Sequence, residues 1–238
     1  MKNKQGHSFE LKYRKDGLYS QRRYPNEQLI QFLARNYFRI PPSLKKKTKI
    51  LELGAGSCAN LWMIAKEGLE AYGIDTSPTG IKIGKKALNS WGVKAHISLG
   101  DMRRLDFPDG FFDCIVDIVS MQHVNLREHK KSYAEIYRCL KSGGRLFQFH
   151  LSDKSSSYTT SRDKKVDALT VENISNKKMP LNNNGVTCFL NPHTALDYLR
   201  HAGFSEISIE LYRRTYERRT QSVEYLVIDA IKPLKVDN

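Results

Sequence analysis

The residues with the clearest chemical potential surround a glycine-rich turn, G-A-G-S-C-A at residues 54–59. Glycine lets the backbone turn sharply and approach a ligand, because no Cβ stands in the way. The apolar run at residues 50–53 precedes the turn and is typical of a strand buried on both faces of a parallel sheet. Apolar residues recur at helical spacing after the turn, so it opens onto a helix N-terminus, whose free N–H groups attract anions. The pattern predicts a nucleotide-like ligand.

The turn alone leaves two nucleotides open. Its letters satisfy the dinucleotide fingerprint G-x-G-x-x-G/A, and Asp75 lies 21 residues beyond Gly54, where NAD enzymes place the acid that holds the ribose. Glu52, two residues before Gly54, favours a different ligand. Its carboxylate repels a pyrophosphate but suits an ammonium and a sulfonium. NAD and a sulfonium nucleotide are both candidates at this point.

Two motifs together resemble the class I S-adenosylmethionine-dependent methyltransferases. The first is E-L-G-A-G-S-C at residues 52–58, set against the family's [D/E]-x-G-x-G-x-G, with Cys58 where the family has its third glycine. The second is L-K-S-G-G-R-L at residues 140–146, close to the family's L-K-P-G-G-x-L, which dinucleotide dehydrogenases have no reason to carry. The resemblance covers about residues 24–233 and implies S-adenosyl-L-methionine as the cofactor.

The resemblance also implies which residues contact that cofactor. Asp75 at a strand tip accepts both ribose hydroxyls, Asp101 bonds the adenine amino group, and the backbone N–H of Met102 meets the ring. A lone Asp117 inside an apolar run is expensive to bury unpaired, so we expect it at the strand end, facing the ligand. The predicted cofactor-binding residues are Tyr24, Glu52, Gly54, Ala55, Gly56, Asn60, Asp75, Thr76, Asp101, Met102 and Asp117. The leading segment of the family adds Tyr19 and Arg22.

Histidines supply the candidate catalytic groups. His123 follows the fourth predicted strand, and a histidine at this place in similar enzymes faces the transferred methyl group. Its ordinary pKa suits a general base near neutrality, although a lone histidine after a strand is more often structural. His150, near the tip of the fifth strand, is a weaker candidate for contact with the acceptor.

The order of predicted strands and helices that position these residues indicates a doubly wound, Rossmann-like α/β fold. We expect seven strands, mostly parallel with an antiparallel last strand, and helices on both faces. Predicted strands after the first cover residues 71–75, 93–99, 111–119 and 145–151. Asn26 is placed to cap a helix of about three turns, and the glycines at 143–144 are placed to end another.

The domain organisation is predicted to be simple. Residues 1–48 form a basic N-terminal arm with a cap helix, and residues 49–238 form the methyltransferase domain. Residues 152–190 interrupt that domain with a polar stretch, which we interpret as a lid over the acceptor because long polar segments inside compact domains are usually functional or disordered.

The charge and the cysteine content indicate the cellular compartment of the protein and its possible partners. Residues 1–49 hold 13 of the 39 Lys and Arg but 3 of the 25 Asp and Glu, so the net charge of +14 resides mainly in the arm. The four cysteines form no C-x-x-C pair, which favours reduced thiols in a cytoplasmic protein with no metal site. No apolar run approaches the roughly 20 residues that a membrane span needs, so no membrane partner is expected.

The function predicted from these features is methyl transfer from S-adenosylmethionine to an oxygen or nitrogen of a small-molecule acceptor. The basic arm suits an anionic acceptor. The sulfonium is already activated, so the enzyme mainly has to align two reactants. An RNA or protein methyltransferase that uses the basic arm is the alternative, although no RNA-binding fold is recognisable. A non-catalytic cofactor-binding module is a third reading.

Overall fold

The structure is a computed structural model that describes residues 4–179 and 181–235. Its helices are α1 (Lys4–Asp16), α2 (Glu27–Asn36), α3 (Pro42–Lys45), α4 (Leu61–Lys66), α5 (Pro78–Ser90), α6 (Leu126–Cys139), α7 (Ser156–Thr159) and α8 (Pro192–Ala202). Its strands are β1 (Lys49–Leu53), β2 (Glu70–Asp75), β3 (His96–Leu99), β4 (Phe112–Ile118), β5 (Leu140–Leu151), β6 (Lys165–Asp167), β7 (Thr170–Val171), β8 (Thr187–Cys188), β9 (Ser205–Tyr216) and β10 (Gln221–Ile231).

Seven strands form the main sheet, in the order β3-β2-β1-β4-β5-β10-β9. Strands β1 to β5 pair in parallel, and β10 runs antiparallel to both of its neighbours. The predicted seven-stranded sheet with an antiparallel last strand is therefore confirmed. The strand order reverses between β1 and β4, and in sheets of this kind ligands bind at the carboxyl ends of the strands beside such a reversal.

Apolar side chains alternate between the two faces of the sheet, because successive residues of a strand point in opposite directions. On β4, Ile115 packs in one cluster with Ile136 of α6 and Leu199 of α8. Its neighbour Val116 packs in the opposite cluster with Leu33 of α2. The resulting core on both faces holds the strand ends, and with them the ligand crevice, in fixed positions.

Helix ends agree with the sequence in part. The side chain of Asn26 caps α2 by accepting from the backbone N–H of Leu29, as predicted. The predicted glycine cap of α6 is wrong, because that helix passes at Leu140 directly into the extended backbone of β5. The glycines instead lie where the β4–β5 pairing changes register, and Gly143 has a φ of +77° that favours glycine there.

The N-terminal arm and the insert at residues 152–190 both contain regular secondary structure. Helix α1 lies in the stretch interpreted as an arm, and it packs against α5. Within the insert, β6, β7 and β8 form a small antiparallel sheet. Apolar residues of the insert, including Val171 and Phe189, pack with Val223 of β10. No helix among the described residues is long and apolar enough to span a membrane, and all four cysteines are buried and unpaired.

Candidate functional site

A cavity of about 300 Å³ lies at the carboxyl ends of β1, β2 and β4. This volume is at the lower end of the range for sites that bind small molecules and cofactors. The glycine turn after β1 forms one wall, α1 and the linker after it form another, and the segment after β4 closes the far end. The sequence-predicted residues that line the cavity are Glu52, Gly54, Ala55, Gly56, Asn60, Asp75, Thr76, Asp101, Met102 and His123.

The turn has the geometry that requires its glycines. Gly54 and Gly56 have φ values of +63° and +49°. A Cβ on Gly54 would lie 2.2 Å from Oγ of Ser120, and one on Gly56 would lie 2.2 Å from the hydroxyl of Tyr13. Cys58, at the family's third glycine, also has a positive φ of 60°. Both the backbone conformation and the close approach of neighbours therefore disfavour other side chains at Gly54 and Gly56.

Gly84 of α5 lies beside Cys58, the residue that occupies the position of the family's third glycine. A Cβ on Gly84 of α5 would lie 2.5 Å from Sγ of Cys58 and 2.8 Å from the carbonyl oxygen of Gly56. Gly84 thus leaves the room that the Cys58 side chain needs beneath the turn. The departure from the family motif is accommodated by helix α5, and the turn keeps its shape.

Glu52 presents a buried carboxylate oxygen with no partner among the described residues. Its Oε1 accepts from Nδ2 of Asn60 at 2.5 Å, whereas Oε2 is unsatisfied. Burial raises the pKa of Glu52 to about 7. A cationic group of a ligand at Oε2 would satisfy this oxygen and favour its charged form. The ammonium of an amino-acid portion of a ligand meets that requirement.

Arg22 provides the opposite charge on the same cavity. Burial lowers the pKa of Arg22, with Glu52 as the strongest opposing influence. The guanidinium has no hydrogen-bond partner in the described part of the chain, and Arg22 is exposed and lines the cavity. Arginine binds carboxylates through two parallel hydrogen bonds. Glu52 and Arg22 together therefore fit an amino-acid zwitterion.

Asp75 stands at the tip of β2, where the sequence placed it. Its Oδ2 accepts from the backbone N–H of Gly56 at 2.9 Å, and its Oδ1 accepts from that of Ser77 at 2.8 Å. Burial raises the pKa of Asp75 in spite of these bonds. Each carboxylate oxygen retains a lone pair, so the pair is able to accept two vicinal hydroxyls of a ribose.

Asp101 lies next to Asp75 along the cavity and is already paired. Nε of Arg103 lies 2.9 Å from its Oδ1, and Arg103 also contacts Glu128. Burial alone would raise the pKa of Asp101, but the hydrogen bonds from Arg103 outweigh it and lower the pKa. The carboxylate therefore stays charged and keeps acceptor capacity for a further donor.

Comparison with known proteins agrees with this geometry. Residues 50–144 match the family model described as a methyltransferase domain. The matched segment includes the glycine turn, Asp75 and Asp101. A ubiquinone/menaquinone biosynthesis C-methyltransferase of Pectobacterium carotovorum is 31% identical over 114 residues, which is 46% of this chain and 45% of that protein. The match thus spans a little under half the length of this curated relative.

Solved structures establish the fold around the matched region. A SAM-dependent methyltransferase of Methanosarcina mazei superposes with a TM-score of 0.68 at 21% identity, covering 82% of this chain and 99% of that one. A phosphoethanolamine N-methyltransferase of Haemonchus contortus, solved with S-adenosyl-L-methionine, gives a TM-score of 0.63 at 15% identity, covering 96% and 56%. At these levels of identity, the superpositions show that this chain shares the fold of the two proteins.

Some predicted contact residues lie outside this cavity. Asp117 is fully buried and accepts from the backbone N–H groups of Ser120 and Met121 and from Nε2 of Gln148, each at 3.0 Å. Burial raises its pKa to about 6. The expectation that Asp117 faces the ligand is not met, because these internal donors satisfy a carboxylate that the sequence alone leaves unpaired.

Two tyrosines of the leading segment, Tyr19 and Tyr24, do not line the cavity. Tyr24 is 61% exposed and lies edge-on to Trp91 with ring centroids 6.0 Å apart. Tyr19 is 97% exposed. The structure therefore gives neither tyrosine a place in the cavity lining, in contrast to Arg22 from the same segment.

The two candidate histidines have different surroundings. His123 lines the cavity, with Nδ1 3.1 Å from the carbonyl oxygen of Val186, and burial lowers its pKa to about 4. His150 lies outside the cavity, fully buried, with its Nε2 3.0 Å from Nε2 of His129. His123 is neutral at physiological pH, and contact between His150 and an acceptor is not supported by its position.

Sequence reasoning missed the residues that α1, the segment after β4 and the insert bring to the cavity. They include Phe9, Lys12, Tyr13, Gln122, Leu181 and Asn184. Phe9 and Tyr13 are four residues apart, which places them on one face of a helix, so the spacing carried a usable signal. Lys12 contacts the side chain of Asn184, which joins α1 to the insert across the cavity. No local pattern could have shown that contact.

Proposed function

We propose that this protein binds S-adenosylmethionine in the cavity and transfers its methyl group to a small-molecule acceptor. The observation that carries the proposal is the combination of the unpartnered Oε2 of Glu52 with the guanidinium of Arg22 beside a glycine turn. NAD has no amino-acid portion to meet these two charges. When bound, S-adenosylmethionine supplies a methyl group already activated by its positively charged sulfur.

The residues of the chain have distinct roles in this proposal. Glu52 holds the ammonium, Arg22 holds the carboxylate, and Asp75 accepts the ribose hydroxyls. The turn at Gly54 and Gly56 lets the backbone approach the ligand closely. These contacts fix one reactant, so that catalysis rests mainly on alignment of the acceptor with the methyl group.

Residues 1–48 and the insert at 152–190 supply the walls that the acceptor meets, under the same proposal. Phe9 of α1 contacts the ring of His123 with centroids 4.6 Å apart, and Leu181 of the insert lines the cavity. The arm and cap helix therefore act with the methyltransferase domain, and the insert acts as a lid. A small molecule fits between such walls.

A macromolecular acceptor is the competing proposal, since the basic arm suits RNA. The contacts of α1 argue against it. Glu10 bonds the start of α5 and Lys12 contacts Asn184, so this part of the arm is committed to covering the cavity. The atom that is methylated stays a prediction, because the curated relative is named for methylation of carbon whereas the residues led us to expect oxygen or nitrogen.

Methyl transfer into a fractionated cell extract separates the two proposals. The protein is incubated with S-adenosylmethionine labelled in its methyl group and with extract separated by ultrafiltration into small molecules and macromolecules. We expect label to enter the small-molecule fraction, and the variant Asp75→Ala to abolish most of it. Label that enters only RNA or protein would overturn the small-molecule proposal.

A further inference from the structure

The wall of the cavity beyond the cofactor-binding turn holds an amide that no other group explains. Gln122 follows β4, lines the cavity and is only 1% exposed. Its Oε1 is buried without a hydrogen-bond partner among the described residues. A buried polar atom of this kind is costly unless a ligand or water satisfies it. The neighbouring His123 shows which end of the amide is free.

The tautomer of His123 follows from its hydrogen bonds. Nδ1 lies 3.1 Å from the carbonyl oxygen of Val186. A carbonyl oxygen only accepts, so Nδ1 carries the hydrogen and donates it. Burial lowers the pKa of His123 to about 4, so the ring is neutral and its Nε2 presents a lone pair.

That lone pair fixes the orientation of Gln122. Nε2 of Gln122 lies 3.2 Å from Nε2 of His123, and an amide N–H is the donor that such a lone pair needs. The reversed amide would place two acceptors against each other. Two hydrogen bonds thus run in sequence, from His123 to the Val186 carbonyl and from Gln122 to His123. They leave Oε1 of Gln122 as an acceptor without a donor among the described residues.

We propose that Oε1 of Gln122 accepts a hydrogen bond from a hydroxyl of the methyl acceptor, so that Gln122 selects apolar acceptors that carry a hydroxyl group. Phe9, Val124 and Leu181 supply apolar lining on this side of the cavity. The inference rests on the proposed methyltransferase function, in which the cofactor's own ammonium is met by Glu52.

A neutral hydroxyl fits this wall better than an ammonium does. Lys12 of α1 lies close enough to His123 to contribute to its lowered pKa, and it would repel a second cation. An amide oxygen also lacks the full charge that a buried cation requires. His123 is then a positioning residue, since its lone pair is committed to Gln122 and is not available to remove a proton from the acceptor.

Paired test compounds examine this selectivity directly. The protein is saturated with S-adenosylhomocysteine, and 2-naphthol and 2-methoxynaphthalene, which lacks the hydroxyl hydrogen, are titrated calorimetrically. We expect the wild type to bind 2-naphthol roughly fivefold to 150-fold more tightly, the range for a ligand that leaves one buried acceptor unsatisfied. Gln122→Met should remove the preference, whereas the exposed Gln31→Met should retain it.

The outcomes are distinguishable. Failure of S-adenosylhomocysteine to bind the wild type refutes the proposed function itself. If it binds but 2-naphthol shows no advantage, or if the advantage persists in Gln122→Met, the role of Gln122 is refuted. Preference for 2-naphthylamine over 2-naphthol would reassign the wall to N–H donors and overturn the hydroxyl proposal.

A second measurement does not depend on any variant of Gln122. Nitrogen-15 spectra of histidine-labelled protein report which ring nitrogen carries the hydrogen, with His123 assigned from the variant His123→Asn. We expect the Nδ1–H form from pH 6 to 8. The Nε2–H form, or a protonated ring in that range, would break the hydrogen-bond order that orients Gln122 and would overturn the proposal.

Discussion

At the scale of single residues, Glu52 is the side chain on which ligand binding depends most in our account. One of its oxygens is held by Asn60, and the other is buried without a partner in the described structure. Burying a charge in this way disfavours folding unless a partner arrives. The cofactor's ammonium is that partner in our account, so Glu52 links ligand affinity, pH and stability.

Removing this charge should weaken cofactor binding. Glu52→Gln keeps an oxygen for Asn60 but replaces the free carboxylate oxygen with an amide group. We expect the affinity for S-adenosylhomocysteine to fall by about 1.5–3 kcal/mol, the range for a hydrogen bond to a charged group. Calorimetry measures the change, and Glu67→Gln, at the salt bridge of Glu67 with Lys45, is the matched control. An unchanged dissociation constant in Glu52→Gln would refute the role of Glu52.

The same carboxyl predicts a pH dependence of stability. Burial raises the pKa of Glu52 from 4.5 to about 7, so the folded chain holds this proton more tightly than the unfolded chain does. The stabilisation is complete below about pH 4.5 and is lost as the pH rises through about 7. We expect the free energy of unfolding without ligand to fall over this window by up to about 3 kcal/mol more than in Glu52→Gln.

Urea unfolding at a series of pH values makes that measurement. Asp117, with its raised pKa, contributes to both proteins over a lower window, so the difference between wild type and Glu52→Gln isolates Glu52. Parallel pH profiles for the two proteins would show that folding does not raise the pKa of Glu52. Saturation with S-adenosylhomocysteine should flatten the wild-type profile, because the ammonium stabilises the charged form.

At the scale of elements, α1 is the helix that was hardest to predict from the sequence. It carries many charges and a glycine, and its stability comes from contacts with distant elements. Glu10 accepts from the hydroxyl of Ser77 at 2.5 Å and from that of Thr79 at 2.7 Å, at the start of α5. Burial alone would raise the pKa of Glu10, but these bonds and one from Arg14 lower it to about 2.

Loosening this contact should open α1 without unfolding the domain. Glu10→Gln weakens charge-assisted hydrogen bonds that are each worth about 1.5–3 kcal/mol. We expect hydrogen exchange of residues 4–16 to accelerate at least tenfold while the strands stay protected. Arg14→Gln is the control, because an exposed pair of this type contributes little. Equal acceleration in both variants would show that Glu10 does not hold the helix.

The elements of the sheet were predictable because their patterns are local. The glycine turn, the strand before it and Asp75 at the next strand tip follow from residue types and spacing. Asp117 stands near the end of β4 as expected, but it accepts from Gln148 on the neighbouring strand, and a partner 31 residues away leaves no local pattern. The free end of Gln122 depends in the same way on Val186, 63 residues beyond His123.

At the scale of the whole molecule, the basic N-terminal region and the sheet act on one cavity. Tyr13 and Arg22, which both precede β1 in the sequence, line this cavity. Deletion of residues 1–23 should therefore raise the dissociation constant of S-adenosylhomocysteine at least tenfold, since it removes the proposed carboxylate partner and one wall. The melting temperature should change little, because the seven-stranded core keeps its own packing.

RNA binding provides the contrasting outcome for the same deletion. A chain that used its basic arm for RNA would bind it with a steep salt dependence, through release of counterions. We expect no tight binding of a mixed-sequence RNA at physiological ionic strength, either before or after truncation. Salt-sensitive binding that disappears with residues 1–23 would favour a macromolecular acceptor.

The central claim is that the cavity is built for S-adenosylmethionine, and one calorimetric comparison tests it most directly. The full chain is titrated with S-adenosylhomocysteine and with NAD, and Asp75→Ala is titrated with both. We predict binding of S-adenosylhomocysteine, no detectable binding of NAD, and a loss of about 1.5–3 kcal/mol in Asp75→Ala, which lacks the acceptor for the ribose hydroxyls. Binding of NAD with no response to S-adenosylhomocysteine would contradict the account.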